Sequence, residues 1–232
     1  AILTRALERA EKSANESVPA RYTARHTNRT LHLNGSGEAS EEHLDVYRIR
    51  PVDGEAFYEL LERDGRAATE RDLREEAKRR QRFRDHFDSE ADLAQETGHG
   101  LALTPAVLER YDFELAGRHP LLGWALEFRP KDAELPVRRR VDQVLNRIAG
   151  TLWIDTEDFG LTRAEFSLHE PVRIWAGLLG SLTRFEGRFE QVRLAPGHWL
   201  PSEMRLEMDG WAPFHSLRRR VELDWTGYEP VR

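Results

Sequence analysis

Gly150-Thr151-Leu152-Trp153-Ile154-Asp155 and Pro196-Gly197-His198-Trp199-Leu200-Pro201 are the two stretches whose reading decides the fold. Each sets large apolar side chains beside turn-forming Gly, Pro or Asp, the composition of a strand bounded by a tight turn. Between and after them strand-like alternation continues, near 161–169, 172–180, 182–195, 198–208 and 214–225. The connections carry turn chemistry: Glu157-Asp158-Phe159-Gly160, Ala195-Pro196-Gly197 and Asp209-Gly210. No catalytic motif interrupts these strands, and such a half reads as a container rather than an enzyme.

Working outward, Tyr111–Leu115 and Trp124–Phe128 also alternate, with Arg118-His119-Pro120 read as the turn between them. Further back, Tyr22–Leu33, Leu44–Ile49 and Phe57–Leu61 form three more strands. Turns at Asn34-Gly35-Ser36-Gly37, Val52-Asp53-Gly54 and Asp64-Gly65 make them an antiparallel meander. In Leu44–Ile49, Leu44 and Val46 share one frame while Tyr47 and Ile49 share the other.

Helical spacing appears in few places. Ile2, Leu3, Ala6, Leu7, Ala10 and Ala14 form one apolar stripe, a packed brace in preference to a membrane-surface helix because the polar face mixes both charges. Thr69 and Asp72 form a capping box, predicting a helix through about His86 that carries Lys78, Arg79, Arg80, Arg82 and Arg84. That basic run reads either as a solvated face or as a contact for anionic lipid headgroups. Residues 88–100 are polar and read as loop. Thr104-Pro105 opens a short helix, and Val137, Val141, Val144 and Leu145 mark another within 136–147. The result is an α+β chain of ten or eleven antiparallel strands and three to five helices.

Composition narrows the function. The chain has 232 residues and a net charge of −6, which lacks the basic footprint of nucleic-acid binding. No apolar run approaches the roughly 20 residues that span a bilayer. There is no cysteine, hence no disulfide, thiolate nucleophile or zinc–thiolate site. The nine histidines (His26, His32, His43, His86, His99, His119, His169, His198 and His215) show no H-E-x-x-H or other close metal-ligand spacing, so no metal or cofactor is expected. Asp155, Glu157 and Asp158 cluster at a strand end, where turn formation is the plain reading and acid–base work or calcium binding the sharper one. Nucleophile-elbow, phosphate-loop and dinucleotide motifs are absent from the sequence. The aromatic residues Trp124, Phe128, Trp153, Phe166, Trp175, Phe185, Phe189, Trp199, Trp211, Phe214 and Trp225 lie in or beside strands. With many strands and little helix to cover them, they fill a plain core or line an apolar cavity.

Asn34-Gly35, Val52-Asp53-Gly54, Asp64-Gly65, the Gly150–Asp155 strand and Gly197-His198-Trp199-Leu200-Pro201, in that order, resemble the periplasmic outer-membrane lipoprotein carriers and lipoprotein-sorting proteins. The resemblance covers most of the chain and is densest from about 148 to 231. It implies one domain over 1–232: a single, strongly curved antiparallel sheet, a half-barrel, with helices covering its concave face around an acyl-chain cavity. It also implies export to the periplasm with a signal peptide removed, which accords with a chain starting at Ala1. The stretch from about 69 to 110 exceeds what a bare carrier needs and reads as a helical insertion. The lid-locking arginine of the carriers is assigned to no particular arginine here.

Alternation selects Trp124, Leu126, Phe128, Leu152, Ile154, Phe166, Leu168, Met204 and Leu206 as cavity lining. The leading expectation is therefore a monomeric, non-enzymatic carrier or sensor for a lipid, acyl chain or lipoprotein, working with an envelope protein partner. A filled-core interaction domain is the first alternative. A hydrolase built on the 155–158 carboxylates or a histidine is the second.

Overall fold

A computed structural model describes residues 1–84, 103–131, 135, 137, 140–173, 180–212 and 215–231. Helix α1 (Ile2–Asn15) opens the chain, and a short 3-10 turn (Val18–Arg21) leads into β1 (Tyr22–Leu33). The strands β2 (Ala39–Val52), β3 (Glu55–Arg63) and β4 (Arg66–Ala67) follow, then α2 (Glu70–Arg84) and α3 (Pro105–Leu108). The chain continues as β5 (Tyr111–His119), β6 (Gly123–Pro130), α4 (Arg140–Leu145), β7 (Ile148–Ile154), β8 (Leu161–Leu168), β9 (Val172–Arg173), β10 (Ser181–Ala195), β11 (His198–Ala212) and β12 (His215–Pro230).

All twelve strands among the described residues form one antiparallel sheet, in the order β4-β3-β2-β1-β12-β11-β10-β8-β7-β6-β5, with β9 beside the start of β10. The sheet is unclosed, with β4 and β5 at its edges. Most sequence neighbours pair; β8 instead pairs with β10 past the short β9, β4 and β5 lie at opposite edges, and β1 meets β12, which joins the N-terminal meander to the C-terminal strands. The strand that the sequence reading did not expect, β4, has two residues, too few to show a period.

The turns follow their chemistry. Asp53 (φ 52°) and Gly54 (φ 81°), then Asp64 (φ 49°) and Gly65 (φ 76°), place left-handed pairs in the β2–β3 and β3–β4 hairpins, the geometry that matches strand twist. At the start of α2, Thr69 Oγ1 accepts from the Asp72 amide (3.3 Å) and Asp72 accepts from the Thr69 amide (2.9 Å), which is the expected capping box. Two turn assignments are corrected. Asp209-Gly210 does not turn; both residues pair within β11, whose partners continue to Ala212↔His215. Arg118 and His119 belong to β5 and pair with Trp124 and Gly123, so the turn starts at Pro120, two residues later than read. Of the expected 172–180 strand, Val172–Arg173 is strand, while 174–179, with Trp175, lies outside the described residues; so do Phe214, the 88–100 stretch and the expected helix end at His86.

The long strands separate two faces by alternation. On β10–β12, Phe185, Phe189, Met204, Leu206, Val221, Leu223 and Trp225 take one side; Arg184, Glu186, Arg188, Glu203, Arg205, Glu207, Arg220 and Glu222 take the other. The first side is the inner face. It carries the main core, in which Leu126, Phe128, Ile148, Leu152, Ile154, Leu161, Ala164, Phe166 and Phe189 are buried with Ala6 of α1. Ile2, Leu3 and Ala10 pack against the same cluster, so the α1 stripe is a brace on β6–β8. Ile154 and Phe189 are fully buried, each contributing roughly 1.5–3 kcal/mol by removal from water.

Candidate functional site: the inner face of the sheet

Register decides which side chains share the inner face. One row runs Phe128–Gly150–Phe166–Gly187–Leu206–Val221 across β6, β7, β8, β10, β11 and β12. The next runs Leu126–Leu152–Ala164–Phe189–Met204–Leu223. Trp124 pairs with Ile154, and Ile148 with Leu168. Directly opposed residues point to one side, so the nine expected lining residues fall on a single face. Leu126, Phe128, Leu152, Ile154 and Phe166 are buried in the main core, and Leu168, Met204 and Leu206 pack half-buried against it. Trp124 stands apart, with the Arg118 guanidinium 5.6 Å from its ring centre.

Glycine gives the first row its shape. A Cβ on Gly150 would lie 1.9 Å from the Glu165 carbonyl oxygen, and one on Gly187 2.5 Å from the Phe166 ring. Absent side chains at these two positions let β7 and β8 approach closely and let Phe166 lie over β10.

Coverage of the face is uneven. Over β6–β8, Ala6 of α1 is buried in the core and Ile2, Leu3 and Ala10 pack against it. Over β10–β12, Phe185, Met204, Leu206, Met208 and Val221 are half-buried. Beyond them, towards β1–β3, the face becomes aromatic and then polar. His26 stacks on Trp225 (4.6 Å between centroids) and meets Tyr47 and Tyr58 at 5.6 and 5.4 Å. Burial pushes the Tyr58 hydroxyl up to about 12. Next to this box Arg63 donates to Asp45 through two nitrogens (2.8 and 3.1 Å) and lies 3.6 Å from Asp72 and 3.9 Å from buried Glu76, both on α2. This charge cluster ties α2 to β3. Sequence reading reached Asp72 through its cap and missed Arg63, Asp45 and Glu76, whose partners are distant along the chain.

The carboxylates at 155–158 are structural. Asp155 Oδ1 accepts from the amides of Glu157 and Asp158 (2.9 Å each), and Glu157 pairs with Arg193 (2.8 Å). Asp158 accepts from Trp199 Nε1 (2.8 Å), the Gly197 amide (2.8 Å) and the Gly160 amide (3.3 Å), with Arg193 at 3.2 Å. Burial acts to raise this carboxyl; the bonds from Trp199, Gly197 and Gly160, with the Arg193 charge, outweigh it and hold Asp158 below the usual carboxylate range. The two stretches that open the sequence reading thus meet here. Trp199 lies against Gly160, and Gly197 (φ 73°) lies against the Arg9 guanidinium of α1. Arg5 of α1 sits 3.8 Å over the Phe159 ring. His198, adjacent in sequence, bonds instead to the Tyr22 hydroxyl (2.7 Å).

Two hollows, of about 510 and 580 Å³, open on the opposite, polar face. Ala149, Thr151, Glu165, Glu127 and Glu114 are among their linings. Small side chains make these depressions, and carboxylates on their walls suit water better than acyl chains.

No protein-family model matches the chain, and no curated protein matches it. Among solved structures, it is similar to a provisionally assigned outer membrane lipoprotein-sorting protein domain from Vibrio parahaemolyticus (13% identity, TM-score 0.38, covering 98% of this chain and 93% of that one). It is also similar to a DUF1329 family protein from Desulfovibrio piger (11%, 0.33, 98% and 92%). A third is MucB in complex with MucA(peri) (12%, 0.24, 97% and 99%). All three are distant likenesses. Among the described residues no helix is long and apolar enough to cross a membrane.

Proposed function

We propose that the chain is a non-enzymatic binding protein of the bacterial periplasm. It takes a lipid, an acyl chain or a lipoprotein onto the apolar inner face of a half-barrel roofed by helices, and acts as a carrier or sensor. One observation carries this reading: Phe185, Leu168, Met204, Leu206 and Val221 extend the sealed core sideways as a half-covered apolar surface. A protein that only needed a core gains by covering such a surface; one that takes an apolar ligand needs it open. Each methylene buried there contributes about 0.8 kcal/mol. The sequence resemblance supports the periplasmic setting. In this reading residues 1–232 act as one monomeric domain, with no cofactor and with the nine predicted residues as lining or floor.

Mass spectrometry of an organic extract from natively purified, periplasmically expressed protein tests this. Stoichiometric lipid, with binding of a fluorescent fatty-acyl probe weakened at least about tenfold by Leu206→Glu, is expected. A clean extract and no probe binding would sink it and favour a filled-core interaction domain.

A further inference from the structure

The far end of the β1–β2 ladder holds side chains that neither the apolar face nor the Asp158 turn uses. His32 on β1 lies directly opposite Glu41 on β2, and His43 follows Glu41 by two residues, so all three project from one face. One nitrogen from each imidazole and one Glu41 oxygen lie within 4.8 Å of one another. His43 Nε2 is 3.1 Å from Glu41 Oε1, and the two rings stand edge to face at 6.0 Å. A bulge between His32 and Leu33 sits next to the group; such bulges re-aim neighbouring side chains.

The other nitrogen of His43 also has a carboxylate near it, just beyond hydrogen-bond distance. Nδ1 faces Asp64 Oδ1 at 3.7 Å. Asp64 is held from three sides: it begins a left-handed turn at φ 49°, its amide donates to the Leu44 carbonyl (2.8 Å), and its Oδ1 accepts from the Leu44 amide (3.0 Å). A carboxylate behind one imidazole nitrogen, with a second donor group in front of the other, is the arrangement that orients a ligating histidine.

We propose that His32, Glu41 and His43 form a binding site for a divalent transition-metal ion, with Asp64 positioning His43 from behind. Two imidazoles and one carboxylate suit Zn²⁺ and its neighbours, and not Ca²⁺ or Mg²⁺, which take oxygen donors. Bonds of about 2.0–2.1 Å in tetrahedral geometry put donor atoms about 3.4 Å apart. The present spread closes to that by rotamer changes, which are free to occur because His43 and Glu41 are 53% and 60% exposed. Three protein donors leave a fourth position for water or for a donor from elsewhere. The ion would tie β1 to β2 near their hairpin, where pairing is otherwise loosened by the bulge. His43 and Glu41 form an ordinary surface hydrogen bond if no ion binds, and that is the competing account.

The test uses untagged full-length protein titrated with Co²⁺, then with Zn²⁺ in competition. Saturable one-to-one binding with visible ligand-field absorption is expected. His32→Ala and His43→Ala should each weaken it at least about tenfold and Asp64→Asn by about tenfold, on the scale by which outer partners change metal affinity. His119→Ala, far along the chain, should leave it unchanged. Folding of every variant is checked by circular dichroism in EDTA; Glu41→Gln, the gentlest change, stands in for any that fails and should also weaken Co²⁺ at least about tenfold. Absence of saturable Co²⁺ binding, or binding that these substitutions leave intact, overturns the proposal.

Discussion

Strands β6–β8 and strands β10–β12 belong to one sheet but are held in different ways. The first group is short, has α1 packed against its core, and holds Leu152, Ile154 and Ala164 at 3% exposure or less. The second is long, half-open on its inner face, and carries a lattice of ion pairs on its outer one. Arg205 meets Asp224 (2.6 Å), Arg220 meets Glu207 (2.8 Å) and Arg188 meets Glu203 (2.9 Å); Arg163 on β8 reaches Glu190 on β10 (2.7 Å). Close packing fixes the first half. Cross-strand charge leaves the inner face of the second free to stay open, because its pairing does not depend on what lies there.

The sharpest way to break this contrast is to fill its glycines. Gly150→Ala sets a Cβ against a backbone carbonyl at 1.9 Å, which no side-chain rotation relieves. A loss of about 4 kcal/mol or more is expected in urea unfolding. Gly187→Ala meets the ends of Phe166 and Leu206 at 2.5 and 2.6 Å; both can turn aside, and about 1–3 kcal/mol is expected. Equal losses would mean that the two halves are packed alike. Truncation is the milder form of the same comparison. Ile154→Ala should cost about 2–5 kcal/mol, and half-buried Met204→Ala markedly less.

Asp158 sharpens the comparison because it joins the halves. Asp158→Asn removes the charge and one acceptor from a site fed by Trp199, Gly197, Gly160 and Arg193; about 1–3 kcal/mol is expected. The sign of its pH dependence follows from its lowered value in the fold. The stabilisation is fully present above the unfolded carboxyl range, near about 4, and disappears as pH falls through the lower folded value. Subtracting Asp158→Asn stability from that of the parent at each pH should show this loss, and a flat difference would remove Asp158 as the source.

Much of the sheet was legible because the sequence alternates where one face is charged. Phe185, Gly187 and Phe189 between Arg184, Glu186 and Arg188 can be placed without a structure. Turn positions at Asp53-Gly54 and Asp64-Gly65 were legible for the same local reason. Asp209-Gly210 misled because a Gly in a strand and a Gly in a turn look alike locally, and only pairing with Arg218 and Leu217 separates them. The pairing of β1 with β12 was not legible, since no local rule joins residues some two hundred positions apart. The His32, Glu41 and His43 group was hidden for a related reason. Glu41 and His43 show a period of two, but His32 reaches them only across the ladder.

The smallest expected effect tests what the outer lattice is for. Arg220 and Glu207 lie half-exposed, and such a pair contributes about 0.2–1 kcal/mol, screened by salt. Arg220 has a second neighbour, since its register partner on β1 is Leu31, which is only 6% exposed on this polar face. An arginine stem can cover an apolar residue while its head stays in water. Arg220→Ala should therefore cost more than Glu207→Gln, and the two losses should respond differently to salt. The coupling from the double-mutant cycle should shrink between low and about 1 M ionic strength, while the excess cost of Arg220→Ala persists. If the whole cost vanishes with salt, the lattice is charge alone; if a salt-independent part remains, the long strands are held by a thin apolar layer beneath their ions as well as by the ions themselves.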